Sequence, residues 1–255
     1  MNDVLGLTGK VVVVTGGTKG VGRGIAKRFL EAGAHVVICG RNAPDTPVSA
    51  AGRQATFIAA DVREVEQIEN VVAAATQQHG HLDVLVNNAG GSPSADAATA
   101  SPRFSEAIIR LNLIAPLHFA QRVNAVMQKQ ESGGVIINIA SVSAVRPSPG
   151  TAAYGAAKAG LLSLTQSLAI EWAPKVRVNA ITAGMIRTEQ SDLHYGDSAG
   201  LARVAATVPL GRLAEPEDVG DACLFLASAL SRYVSGASLL LHGGGEKPAF
   251  LDAAK

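Results

Sequence analysis

Seven short apolar runs, separated by longer alanine-rich stretches, constrain this chain more than any other feature. They read KVVVVTG at 10–16, HVVICG at 35–40, ATFIAAD at 55–61, LDVLVNNAG at 82–90, GVIINIAS at 134–141, VRVNAITAG at 176–184 and ASLLLHGG at 237–244. The runs are apolar almost throughout rather than alternating, which suits parallel strands covered on both faces by helices. The segments between them, about 20–32, 64–79, 103–130, 152–172 and 216–230, are long enough to serve as helical crossovers. The expected architecture is α/β, a single doubly wound parallel seven-stranded sheet in a three-layer α/β/α sandwich. At 255 residues and 47% hydrophobic the chain can bury a sizeable core, so one domain over 1–255 is expected. The connection 185–209 carries no clear strand or helix pattern, and a loop of that length in a compact domain is expected to be a substrate lid. The tail 246–255 reads as interface material or disorder.

Lys plus Arg number 22 against 21 Asp plus Glu, so no basic surplus points to nucleic acid or anionic lipid as a partner. A small molecule is the expected partner. Cys39 and Cys223 lie inside apolar runs with no C-x-x-C spacing, which reads as buried thiols. The start MNDVLGLTGK has neither a charged leader nor a long apolar stretch, and no run approaches the ~18 residues of a membrane span. A cytoplasmic protein without a membrane anchor is the expectation. His79 and His81 in QQHGHLD have no third ligand at workable spacing, so no metal is expected. His194 and Tyr195 fall in the lid region as candidates for touching substrate, and Trp172, the sole tryptophan, is expected to pack.

The first run leads through Gly16, Gly20 and Gly22 into a helical stretch and then into the second run. Set between a strand and a helix N-terminus, such glycines form an anion cradle, with free N–H groups and the positive dipole end aimed at a pyrophosphate. The spacing G-x-x-x-G-x-G departs from the usual Rossmann dinucleotide fingerprint, and Gly40 and Arg41 stand where that fingerprint has an acid for the ribose 2′-OH. Lys19 sits inside the glycine loop. Two cations and no carboxylate favour a 2′-phosphate, which a guanidinium grips with two bonds and a carboxylate repels. NADP(H) is therefore the expected cofactor. Asp61, ending the third run, either accepts a bond from the adenine amine or caps the next helix. NNAG, Asn87 to Gly90, either lets cofactor and backbone come close or is ordinary turn chemistry.

In TAAYGAAKAG, Tyr154 and Lys158 stand at i and i+4, neighbours on one helix face about 6 Å apart along its axis. A free phenol titrates near ~10, and bringing it to ~7 to 8 requires about 3 to 4 kcal/mol. An ammonium at ~4 Å contributes around 4 kcal/mol at an effective dielectric of ~20, before its own desolvation. Such a tyrosine gives a proton to a carbonyl oxygen, or takes one from an alcohol. Alone, Y-x-x-x-K is a common surface pair; Ser141 in NIASVSA and Asn112 in RLNLIAP give it company.

From about residue 6 to 245 the chain resembles the short-chain dehydrogenase/reductase family. TGGTKGVG, NNAG, Asn112, Ser141, Tyr154, Lys158 and the late PLGRLAEPEDVGDACLFLAS and VSGASLLLHGG stand in that family's order and spacing. The resemblance implies that Ser141 orients the substrate oxygen, that Tyr154 is the general acid/base, and that Lys158 lowers its pKa and holds the nicotinamide ribose. It implies that Asn112 organises a water in a proton relay. Cofactor contacts are implied at Gly16, Thr18, Lys19, Gly20, Val21 and Gly22, and past the next strands at Arg41, Asp61 and Val62. Others are implied at Asn88, Ala89 and Gly90, and at Tyr154 and Lys158. After the sixth strand the family commonly has N-x-x-P-G and a threonine that bonds the carboxamide. Here NAITAGMIRT puts Ala183 at the proline position and leaves Gly184, Ile186 and Thr188 for that contact, while His242 replaces a frequent Asp. The implied activity is NADP(H)-dependent hydride transfer between nicotinamide and a ketone or secondary alcohol. Substrates resembling 3-oxoacyl thioesters or alicyclic and steroid-like ketones come first, with sugar alcohols not far behind. The family's usual homotetramer, through helices 103–130 and 152–172, is the implied assembly. A nucleotide-sensing regulator without turnover is the second reading, which loss of Tyr154 or Lys158 would have favoured; both are present.

Overall fold

In the computed structural model, which describes residues 3–189, 191, 195–248 and 250–253, all seven apolar runs become strands. They are β1 (Val11–Thr15) and β2 (His35–Gly40), then, after a short antiparallel pair β3 (Ser49–Ala50) and β4 (Arg53–Gln54), β5 (Thr56–Ala59) and β6 (Val84–Asn87). β7 (Gly134–Ser141), β8 (Val176–Ala183) and β9 (Ser238–Leu241) complete the set. The seven-stranded sheet has the order β5-β2-β1-β6-β7-β8-β9 with every neighbouring pair parallel.

Successive side chains of a strand point to opposite faces, and here both faces are dry. Val12 and Val14 enter one core and Val13 the other. The first core is closed by α1 (Gly20–Glu31), whose Phe29 is fully buried, and the second by α2 (Val65–His79). Each fully buried side chain of this size contributes roughly 1.5 to 3 kcal/mol, so a polar residue at any of these valines would be costly. This two-sided burial is the reason the runs are unbroken.

The stretch expected as one helix over 103–130 is two, α3 (Pro102–Ile109) and α4 (Ala115–Met127), joined by a π turn at Arg110–Ile114 that carries Asn112. Ser101 starts α3 by accepting from Phe104 N–H at 3.2 Å, with Pro102 at the first helical position. α4, with Phe119 and Met127, and the C-terminal part of α5 (Ala152–Glu171) join α2 on the second face. The lid region contains a helix of its own, α6 (Ser198–Thr207), so the expected lack of pattern there is corrected. The Asp197 carboxylate accepts from Gly200 N–H at 2.9 Å, and an acid before an alanine-rich run is a helix-start signal. Leu193 and His194 of that region lie outside the described residues. α7 (Pro216–Ala227) packs on α1 across two glycines: a Cβ on Gly24 would lie 2.3 Å from Pro216 Cβ, and one on Gly220 2.5 Å from Arg28 Cγ. The described tail holds one short helix, α8 (Phe250–Ala253). Trp172 ends α5 and packs against the second core.

Candidate active site

β1 and β6 are sheet neighbours, yet the chain leaves β1 toward β2 on the other side. A crevice opens at such a switch point, beyond the C-terminal ends of the strands. It is a cleft of about 460 Å³ whose floor is tied together by Thr15 and Asn88. Thr15 Oγ1 accepts from the N–H groups of Asn88 and Ala89 at 2.9 Å each, and Asn88 Nδ2 donates to Thr15 O at 2.8 Å. Gly16 and Gly20 take left-handed φ values of +66° and +53°. A Cβ on Gly22 would sit 2.3 Å from Gly16 O, so only glycine lets α1 begin this close to β1. Thr18, Lys19 and Val21 line the cleft, as do Asn88, Ala89 and Gly90, the first two of which pack against Gly16. The first amide of α1 already has an anionic partner: Gly20 N–H donates to the Glu189 carboxylate at 3.1 and 3.4 Å. Nothing near the glycine loop in sequence signals that contact.

Lys19, Gly40, Arg41, Asp61, Val62 and Arg63 line the same cleft, with Arg41 and Arg63 close enough to act on the Asp61 carboxylate. The Asp61 carboxylate accepts from Arg63 Nε at 2.9 Å and from its backbone N–H at 3.0 Å. The Arg63 guanidinium, more than the nearby charge of Arg41, holds the Asp61 carboxyl below the ordinary range against the opposing cost of burial. Glu64, not Asp61, takes the N-cap position of α2, so the capping role read for Asp61 is replaced by a turn onto Arg63. Arg63 was missed in the sequence, although a cation two residues past Asp61 was there to be read.

The chemical end is assembled by β7 and α5. Ser141 ends β7, Tyr154 lies in the first turn of α5, and Lys158 follows one turn later; all three line the cleft. Lys158 is 3% exposed, donates from Nζ to Ile139 O at 2.7 Å and stands 5.6 Å from the centroid of the Tyr154 ring. Burial lowers its pKa to about 8. Burial also raises the Tyr154 phenol above its ordinary value; the Ser141 hydroxyl pulls it down and the Tyr195 phenol pushes it up. The expected phenol near 7 to 8 is therefore not what this protein shows on its own. Desolvation governs both groups, and the Lys158 amine is turned to a backbone carbonyl.

Asn112 does not line the cleft. It is fully buried behind it, accepting at Oδ1 from Gly91 N–H and donating from Nδ2 to Gly91 O and Ile108 O, each at 2.9 Å. A Cβ on Gly90 would lie 2.6 Å from Asn112 Oδ1 and 3.3 Å from Lys158 Nζ, so Gly90 separates the two side chains. Gly184, Ile186 and Thr188 border the cleft from beyond β8. A Cβ on Gly184 would meet His242 Cβ at 2.8 Å, and Ala183 pairs in register with Leu241. His79 stacks on His35 at 4.8 Å, while His81 Nε2 lies 3.1 Å from Asp83. Among the described residues no three His, Cys, Asp or Glu side chains gather as a metal ion would need, and no helix is long and apolar enough to cross a membrane.

Residues 7–246 match the family model described as Enoyl-(Acyl carrier protein) reductase. The chain belongs to the short-chain dehydrogenase/reductase family. It is 37% identical over 249 residues to an L-rhamnose 1-dehydrogenase (NAD(P)(+)) of Azotobacter vinelandii, covering 93% of this chain and 97% of that one. It is 38% identical over 244 residues to a 3-oxoacyl-(acyl-carrier-protein) reductase of Chlamydia pneumoniae, with the same coverage of 93% and 97%. Its fold superposes on the ligand-free aldohexose dehydrogenase of Thermoplasma acidophilum with a TM-score of 0.87 at 29% identity, over 93% of this chain and 94% of the other. This short-chain dehydrogenase/reductase is an oxidoreductase of the kind that acts on alcohols and ketones.

Proposed function

We propose that this short-chain dehydrogenase/reductase, one domain over residues 1–255, uses NADP(H) to interconvert a ketone and the matching secondary alcohol. The observation that carries the reading is the convergence of Ser141, Tyr154 and Lys158 in the cleft that begins at the α1 cradle. The cradle fits a dinucleotide, since Gly22 has no room for a Cβ beside Gly16 O. Gly16, Thr18, Gly20, Val21 and Gly22 would hold its diphosphate, Asn88, Ala89 and Gly90 the wall beside it, and Gly184, Ile186 and Thr188 the nicotinamide end. When bound, the dinucleotide supplies a hydride or accepts one. Tyr154 delivers the proton to the carbonyl oxygen or withdraws it from the alcohol. Ser141 holds that oxygen and stabilises the phenolate. Lys158 sits beside the ring as a cation, which favours the phenolate further once the amine turns toward the reacting groups. Asn112 locks the Gly90–Gly91 backbone behind Lys158, and the second lone pair of its amide oxygen would hold a water in a relay.

Lys19, Arg41 and Arg63 bring three cations to the adenosine end, where the one carboxylate, Asp61, is already held by Arg63. That balance supports a 2′-phosphate and hence NADP(H). Relatives are named for substrates as different as 3-oxoacyl thioesters, L-rhamnose and a 3α-hydroxysteroid, so the reaction reading does not depend on one of them. A homotetramer is the assembly we expect; Ile170 on α5, 81% exposed, is the kind of apolar side chain that a helix-to-helix contact would cover. The buried free thiols Cys39 and Cys223 suit a reducing cytoplasm.

The test is to follow the reduced-nicotinamide absorbance with ketone and alcohol panels, comparing wild type with Tyr154→Phe. Loss of the proton donor should lower turnover by about 10² to 10⁴-fold. NADPH binding without any Tyr154-dependent turnover would favour the nucleotide-sensing regulator instead.

A further inference from the structure

The start of α1 is covered by a segment from elsewhere in the sheet. Gly20 N–H donates to both oxygens of the Glu189 carboxylate, at 3.1 and 3.4 Å, and both residues line the cleft. Gly20 follows β1 and Glu189 follows β8, strands that β6 and β7 separate in the sheet. The bond therefore works as a strap between two parts of the cleft lining. A Cβ on Gly20 would lie 3.6 Å from Thr188 Cγ2 and 3.7 Å from Glu189 Oε2, so the segment rests directly on the first residue of the helix.

The strap is held at both ends. Before it, Ile186 forms a parallel bridge with Ala214, whose N–H donates to Met185 O at 3.0 Å and whose carbonyl accepts from Arg187 N–H at 2.7 Å. After it, a turn closes on Ser191: Thr188 N–H donates to Ser191 Oγ at 2.8 Å and Ser191 N–H to Thr188 O at 3.0 Å. Ser191 is 3% exposed, whereas Glu189 is exposed. A phosphate group on the Gly20 amide would meet the Glu189 carboxylate in its place and Thr188 beside it. Both members of the turn would have to give way.

Resting on the dinucleotide reading above, we propose that Glu189 is a built-in stand-in for the diphosphate. It straps the Thr188–Ser191 turn to α1 when no dinucleotide is bound, and a dinucleotide releases that turn, at the end proposed for the nicotinamide, by displacing it. The first N–H groups of a helix have no intrahelical partner, and that end of the helix favours a negative charge. One carboxylate supplies both needs, but a second anion at the same amide is repelled by the first. For an exposed carboxylate at a helix start the effect is about 2- to 5-fold in an equilibrium constant. A dinucleotide with many other contacts overcomes that, and the cost remains measurable. Linkage makes the effect reciprocal: the strap weakens diphosphate binding by the factor by which a bound diphosphate loosens the strap.

Two measurements test the proposal. In the first, calorimetry at low ionic strength compares NADPH, ADP and adenosine 2′-phosphate, which has no diphosphate, on wild type and Glu189→Gln. The variant should bind NADPH and ADP about 2- to 5-fold more tightly, with adenosine 2′-phosphate unchanged, and the gain should shrink in high salt, because the carboxylate is exposed. No gain, or the same gain for all three, overturns the strap and leaves the cofactor reading standing. In the second, hydrogen exchange of the Thr188 and Ser191 amides is followed with and without saturating ADP, which carries no nicotinamide to touch the turn. ADP should speed both amides of wild type by about 2- to 5-fold. Glu189→Gln should exchange at the faster rate already, and ADP should add nothing. Exchange in wild type that ADP leaves unchanged or slows overturns the strap. If neither NADPH nor ADP binds, inorganic pyrophosphate separates the two ideas. Pyrophosphate that binds more tightly to Glu189→Gln keeps the strap and removes the dinucleotide; pyrophosphate that does not bind removes both.

Discussion

Lys158 donates from Nζ to the carbonyl oxygen of Ile139 at 2.7 Å, fastening α5 to the end of β7 from a fully buried position. Burial lowers its pKa from 10.5 to about 8. For a base whose folded pKa lies below its unfolded one, the penalty is fully present below about pH 8. It is relieved as pH rises from about 8 to 10.5, because the unfolded chain then still holds a proton that the folded one has released. Lys158→Met should remove this gain, on the order of 3 kcal/mol. Urea midpoints of the two proteins followed across that pH range check it, and parallel curves would show that the amine is solvated.

Ser141 is the group that pulls the Tyr154 phenol down against burial. Ser141→Ala should therefore raise the Tyr154 pKa and move the rising limb of kcat/KM for alcohol oxidation to higher pH, along with a loss of rate. A pH–rate profile measures both; a limb that stays in place would assign the titration to another group.

Glu189 reaches the first amide of α1 from 169 residues away and puts a carboxylate where the proposed diphosphate would sit. The two anions would compete for one N–H. Glu189→Gln should tighten NADPH binding by about 2- to 5-fold, the range that one charge at a helix N-terminus contributes. Fluorescence titration reads the change, and weaker binding in the variant would mean that the carboxylate supports the cofactor-loaded loop.

Arg41 lines the cleft with Lys19 and Arg63, at the end proposed for the adenosine. Arg41→Asp should weaken NADPH by roughly 10- to 100-fold, as expected for losing charge-assisted bonds to a phosphate, and NADH far less. Equal losses in parallel titrations would remove the 2′-phosphate assignment.

Gly24 lets α1 and α7 touch, with only 2.3 Å between its would-be Cβ and Pro216 Cβ. Gly24→Ala should destabilise by about 1 to 3 kcal/mol through overpacking, visible as a lowered Tm. An unchanged Tm would show that the helices can part at little cost.

The strands and the shared helix face of Tyr154 and Lys158 were legible in the sequence because both follow from local periodicity. Val12, Val13 and Val14 had to be apolar together, since they feed two different cores. Tyr154 and Lys158 share a face because four residues make about one helical turn. The helix α6 carries a local signal as well, since the Asp197 carboxylate before an alanine-rich run caps its first turn.

The remainder was decided only by tertiary structure. Glu189 on Gly20 and Arg146 on Glu246 are pairings in which a side chain has several candidate partners and the folded topology selects one. The direction of the Lys158 amine and the raised Tyr154 phenol belong here as well. Sequence spacing states which charges are near in the chain. It does not state how much water is removed from them, and desolvation depends on every element packed around the group.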